Sequence, residues 1–142
     1  MFPVPLLPRP PHELAQLDLG IKNAQALRYF DPVKGYHVRH LCEDLAIRRS
    51  DLAQATQRSQ QTLHRYFGPS ASYVAIKTQE LAHVLKDLLE IRFLLSDLVT
   101  DSEKIRYWMR LPNLTFDNKS PIDLVREGHS AQVIRELEAL VH

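Results

Sequence analysis

Between about Ser72 and Val99, apolar residues recur at Leu81, Val84, Leu88, Ile91, Leu95 and Leu98, with spacings that alternate three and four. That alternation draws a heptad-like seam along one face of a helix. Leu85, Leu89, Phe93 and Leu94 add a second apolar flank beside it. A helix that is apolar on more than one side must be covered on more than one side. The rest of the chain therefore has to wrap this segment, and dimerisation along the seam is a second way of covering it.

The flanking sequence supplies short helices to do the wrapping. Val38, Leu41, Leu45 and Ala46 mark a helix over about 38–46. Ser50 and Ser59 read as N-caps of two more, the last of which buries Leu63, Tyr66 and Phe67 before Gly68-Pro69 stops it. After the spine, Thr100-Asp101-Ser102-Glu103 has the pattern of a capping box, with Ile105, Trp108 and Leu111 on one face and Pro112 ending the run. Residues 113–119 read as a polar loop. Ser120-Pro121-Ile122-Asp123 combines a cap, a proline at the first helical position and a carboxylate in the first turn. Gly128 ends that helix, and Ser130 caps a final one striped by Val133, Leu137, Leu140 and Val141. No stretch alternates with period two, so the expected fold class is all-α.

Composition narrows the function classes. The chain is 44% hydrophobic and 25% charged, ordinary values for a folded domain, and its net charge of +1 excludes a uniformly basic nucleic-acid coat. The charge is unevenly placed: residues 45–67 hold Arg48, Arg49, Arg58 and Arg65 against Asp51 alone. One cysteine, Cys42, rules out an intrachain disulfide and reads as a buried thiol. Five of the nine prolines fall in residues 1–11, a Pro-rich arm without the basic start of a signal peptide. Residues 12–19 and 20–30 are helix-compatible on either side of Gly20. With no apolar run long enough for a membrane span, the expectation is a cytoplasmic protein with no membrane partner.

Nothing in the chain has the pattern of an enzyme. GxSxG, HExxH, P-loop and GxGxxG motifs are missing, and four glycines are too few for a phosphate cradle. No cofactor or metal is expected. His37 and His40 stand three apart on one helix face, but no third ligand is placed near them by sequence, which favours packing over metal. Residues 45–67 do have the outline of a helix-turn-helix. Ala53 is small enough for a close helix crossing, and Ser59, Gln60, Gln61, Thr62, His64 and Arg65 offer groups that read base edges and phosphates. Arg49, just before the preceding helix, is a further candidate DNA contact. Gln57 takes the turn position where glycine is usual, and Arg58 a position where a buried aliphatic is usual.

From about Ser72 to His142 the chain resembles the toxin-binding domain of Xre/MbcA/ParS-like antitoxins. The residues that carry the resemblance are Trp108, Pro112-Asn113, Ser120-Pro121-Ile122-Asp123-Leu124-Val125, Glu127-Gly128 and the helix from Val133 through Leu140. It implies an Xre-like helix-turn-helix at 37–69 and a toxin-binding domain at 70–142, preceded at 1–36 by a Pro-rich arm and helical appendage that the family pattern does not require. The implied partner is a RES-domain toxin that consumes NAD or transfers ADP-ribose, blocked sterically by the antitoxin's C-terminal region. Operator DNA, bound through the helix-turn-helix for autorepression, is the second implied partner. The expected assembly is a homodimer or a hetero-oligomer with the toxin.

Trp108, Leu124 and Leu137 are expected in the core. Asn113, Asp123, Arg126 and Glu127 are the candidate toxin contacts around the last helices, and Arg135, Glu136, Glu138, Leu140, Val141 and His142 those on the blocking tail. Removing residues 130–142 is expected to leave the rest folded. The alternative is an Xre-type transcriptional repressor without a toxin partner.

Overall fold

A computed structural model describes residues 26–141. The Pro-rich arm, the helical reading of residues 12–25 and the tail residue His142 lie outside the described residues, while the end of the helical reading over 20–30 is turn at 27–29 and strand at Phe30. Seven α-helices and a two-stranded hairpin make up the described part, so the fold is all-α. In chain order these are β1 (Phe30–Asp31), β2 (Gly35–Tyr36), α1 (Val38–Asp44), α2 (Arg49–Thr56), α3 (Gln60–Leu63), α4 (Gln79–Leu98), α5 (Ser102–Arg110), α6 (Pro121–Arg126) and α7 (Ser130–Val141). A 3-10 turn at His64–Tyr66 extends α3, and another at Leu114–Phe116 sits between α5 and α6.

The spine is shorter than its apolar pattern suggests. Residues 72–78 are extended rather than helical, because Val74 exchanges backbone hydrogen bonds with Tyr36, 2.8 Å from the Val74 N–H and 2.9 Å to its carbonyl. Helix α4 starts only after Thr78, whose backbone is extended. The hairpin that makes this contact turns on Asp31, whose carboxylate accepts from the Val33 and Lys34 amides at 2.8 and 2.9 Å. Gly35 is required there. Its φ is +110°, and an added Cβ would stand 2.1 Å from the Val74 carbonyl oxygen.

Helix α4 is wrapped on both flanks, as a doubly apolar helix must be. It packs along α7 for most of its length and meets α1 and α2 on the other side. Leu81, Leu85, Leu88, Ile91 and Leu95 are buried in that sandwich, while Leu98 at the end of the seam is 41% exposed. Each fully buried leucine contributes roughly 1.5–3 kcal/mol. Most of the seam is thus covered within one chain.

Helix ends follow local chemistry, with three corrections. Helix α2 is not capped by Ser50. It begins one residue after Arg48, whose amide donates 2.8 Å to the Asp51 carboxylate. Helix α5 is capped by Asp101, which accepts from the Glu103 amide at 2.9 Å, so the four residues from Thr100 do not close a capping box. Ser130 lies within the first turn of α7 and turns its hydroxyl to buried Asp87 at 2.6 Å. Ser59 and Ser120 cap α3 and α6 as expected. Helices α1, α2 and α6 close with paired bonds around a left-handed residue, Ala46, Gln57 and Gly128 in turn. Only the last of these is a glycine.

The buried stripe of α5 is Ile105 and Met109, with Trp108 half-buried and Leu111 41% exposed. That rotates the face expected from Ile105, Trp108 and Leu111 by part of a turn. On α7, Val133, Ile134 and Leu137 are buried, whereas Leu140 is 62% exposed. Phe116, placed by sequence in a polar loop, is buried with 2% exposure. Deleting residues 130–142 would strip Val133, Ile134 and Leu137 from the core, so the expectation that the remainder stays folded does not hold.

Candidate functional site

The segment between α5 and α6 is built to hold still. The Asn113 side chain accepts from the Thr115 amide at 2.9 Å, and its own amide donates 3.1 Å to the Lys119 carbonyl. Asp117 and Asn118 both take left-handed backbone angles, which short polar side chains tolerate better than branched ones. Lys119 then reaches forward to Glu127 at 2.8 Å. At the start of α6, Ser120 and Asp123 form a reciprocal box with bonds of 2.9 and 3.1 Å. The Asp123 carboxyl is held below the usual aspartate range, first by the Ser120 amide. Asn113, Asp123 and Glu127 therefore all make internal contacts.

Arg126 ties this segment to the helix-turn-helix. One guanidinium nitrogen donates to Asp123 and another, at 3.2 Å, to Asp51 at the start of α2. Asp51 is 1% exposed and also accepts two bonds of 3.1 Å from the Arg48 side chain. Burial alone would push its carboxyl up, but Arg48 and Arg126 outweigh burial and hold it below the ordinary value. Asp51 in the first turn of α2 and Asp123 in the first turn of α6 are thereby joined through the guanidinium of Arg126, 75 residues from Asp51 in sequence.

Around this clamp lies a groove of about 570 Å³, open to solvent. Ala46, Ile47, Pro112 and Ile122 form apolar wall; Arg48, Arg106, Arg110 and Arg126 supply guanidinia. Of the residues singled out by sequence, Asp123 and Arg126 face it. Arg48, Arg106 and Arg110 were not anticipated as site residues. The i, i+4 spacing of Arg106 and Arg110 on α5 was the available signal, but nothing in the linear chain brings Arg48 beside them.

Helix α7 carries the other set. Its buried stripe faces α4, leaving Arg135, Glu138 and Leu140 exposed, with Glu136 and Val141 partly covered. Glu138 lies close enough to Glu90 on α4 that, after burial, its charge raises the Glu90 carboxyl. The structure thus divides the expected toxin contacts between the groove, the braced loop and the outer face of α7.

The helix-turn-helix residues keep their polar face. Ser59, Gln60, Gln61, Thr62, His64 and Arg65 are all exposed, and Gln57 adopts the left-handed turn at φ +56° where glycine is usual. Ala53, 5% exposed, permits the close crossing. Arg58, in place of a buried aliphatic, pairs with Glu80 at 3.2 Å. Arg49 reaches His64 at 2.9 Å, and Arg65 lies 4.9 Å over the Tyr66 ring. The reading helix is short, one α-turn running into a 3-10 turn.

His37 and His40 stack at 3.5 Å, and a His37 ring nitrogen accepts from the His40 amide to cap α1. That cap is structural, and among the described residues no group of three metal-ligating side chains is found. Cys42 is fully buried, and burial drives its thiol pKa far upward. Among the described residues no helix is long and apolar enough to cross a membrane.

Comparison with known proteins follows this division. Residues 94–142, which hold most of the groove's lining and all of α7, match the sequence profile of a family described as antitoxin Xre/MbcA/ParS C-terminal toxin-binding domain. The fold is similar to a chain of the crystallised M. tuberculosis MbcT–MbcA toxin–antitoxin complex, with a TM-score of 0.54 at 19% identity. That superposition covers 74% of this chain and 90% of the other. A search of curated proteins finds no match.

Proposed function

Proceeding from the match of residues 94–142 to the toxin-binding domain of Xre/MbcA/ParS antitoxins, we propose that this protein is a type II antitoxin. It binds a RES-type toxin that consumes NAD or transfers ADP-ribose, and inhibits it by steric cover rather than by chemistry of its own. The family match is the observation that carries this reading, and the likeness in fold to a chain of a toxin–antitoxin complex supports it. The covering element is the outer face of α7, where Arg135, Glu138 and Leu140 are exposed while the inner face anchors the helix to the core. A rigid helix presenting mixed charge and one large apolar side chain costs little ordering entropy on binding.

The exposed polar face of α3 favours a second role, autorepression of the operon through operator DNA. A repressor with no toxin partner is the competing reading.

Because deleting α7 would unfold the domain, the test is a surface variant. Arg135→Glu combined with Leu140→Asp leaves the buried stripe untouched, so the fold and melting temperature should be kept. Co-expressed with its cognate toxin, the variant should no longer protect cells that the wild type protects. Full protection by the folded variant would refute cover by α7.

A further inference from the structure

The groove between α2, α5 and α6 is a strongly basic feature that the internal contacts leave unsatisfied. Four arginines stand against two lining carboxylates, and both carboxylates are already engaged, Asp51 by Arg48 and Arg126, Asp123 by Arg126 and the Ser120 amide. Arg106 has Glu103 as its partner on α5. Arg110 is exposed in the last turn of that helix and has no hydrogen-bond or ion-pair partner among the described residues. A guanidinium left without a carboxylate beside three others is placed to receive one from outside.

Resting on the antitoxin reading, we propose that this groove is a toxin-docking surface distinct from α7, and that it receives an acidic segment of the toxin. Charge complementarity selects carboxylates, and the wall decides against bare phosphate. Ala46 and Pro112 give the groove its accessible apolar lining, since Ile47 and Ile122 are buried at 3% and 6% exposure; that surface suits the aliphatic stem of a glutamate or a neighbouring apolar side chain and adds nothing for a sugar-phosphate backbone. Most of the lining also belongs to the segment that matches the toxin-binding family. Since Arg48 and Ile47 come from the helix-turn-helix side, a segment seated here contacts both halves of the molecule and is held against the Asp51–Arg126 clamp.

The experiment uses the full chain and its cognate RES-type toxin, with dissociation constants measured over a range of salt. Arg110→Glu should weaken the complex by about tenfold or more and flatten its salt dependence, because a charge pair becomes a repulsion. Arg110→Lys, which keeps the charge but loses the fork geometry, should weaken binding less than Arg110→Glu and preserve its salt dependence. Both variants should melt like the wild type, since Arg110 has no internal partner to lose, and Arg110→Ala repeats the comparison without introducing an acid. Toxin affinity unchanged in a folded Arg110→Glu chain overturns the proposal while leaving the antitoxin reading intact. So does an effect confined to DNA retardation, which would assign the groove to nucleic acid. Failure of the wild type itself to bind the toxin would instead overturn the antitoxin reading.

Discussion

Replacing Asp51 by Asn tests whether the clamp between the two halves is structural. The substitution keeps volume and removes the charge and one acceptor oxygen. In its place it sets an amide whose N–H groups face guanidinium donors. Asp51 is 1% exposed and accepts from the Arg48 amide, the Arg48 guanidinium and Arg126. Loss of a helix cap costs about 1 kcal/mol.

Breaking a fully buried ion pair costs about 3–5 kcal/mol, which is an upper bound here because both guanidinia reach water. The Arg48 side chain is 71% exposed, so water screens its pairing with Asp51 and it adds little. Arg126, 29% exposed, adds about 1 kcal/mol. The expected loss is therefore about 2–3 kcal/mol, or roughly 10 °C in melting temperature for a domain of this size.

Denaturant unfolding measures the loss directly, and a cycle with Arg126→Ala should give a coupling of about 1 kcal/mol. Acid supplies a second readout. The folded pKa of Asp51 lies below its unfolded value, so the unfolded chain takes up the proton first. The stabilisation is present above the unfolded pKa near 4 and is lost as the pH falls through the folded one. Asp51→Asn should flatten that acid slope. A loss under about 0.5 kcal/mol, or zero coupling to Arg126, would refute the argument that this contact joins the halves.

Two further outcomes follow from other parts of the fold. Gly35→Ala places a methyl 2.1 Å from the Val74 carbonyl at a φ of +110°, so the bridge to residue 74 must open. A destabilisation of about 2–4 kcal/mol and faster hydrogen exchange at the Tyr36 and Val74 amides are expected, and unchanged exchange would show that the hairpin is not pinned there. For operator DNA, Arg65→Ala and Gln61→Ala should weaken retardation, and the arginine variant should lower the salt slope by about one. Absence of any retardation by the wild type at low salt would remove autorepression and leave toxin binding standing.

Local signals were legible where the chemistry is local. The caps at Ser59 and Ser120, the stop at Gly128 and the multi-sided burial of the spine follow from residues within a few positions of each other. The expectations at Ser50, Thr100 and Ser130 misplaced the caps. At the first, Asp51 accepts from the Arg48 amide and starts the helix earlier; at the second, Asp101 takes the cap; at the third, a buried carboxylate from another helix claims the hydroxyl. The helical reading of 72–78 failed because the hydrogen-bond partner of Val74 is Tyr36, a residue on the other side of the helix-turn-helix.

Composition and periodicity by themselves determined the all-α class, the doubly covered spine and the polar face of residues 59–65, because helix formation and capping depend on spacing along the chain. The resemblance to the antitoxin pattern was likewise carried by contiguous residues from Trp108 to Leu140. Only the tertiary structure decided that Asp51 would clamp Arg126, that Arg48 and Arg110 would line one groove, and that Arg135 and Leu140 would face outward from an anchored helix. Each of these depends on how helices distant in sequence are set against one another. A guanidinium's environment is decided by which carboxylates the fold leaves within its reach, and the linear chain does not specify that distance.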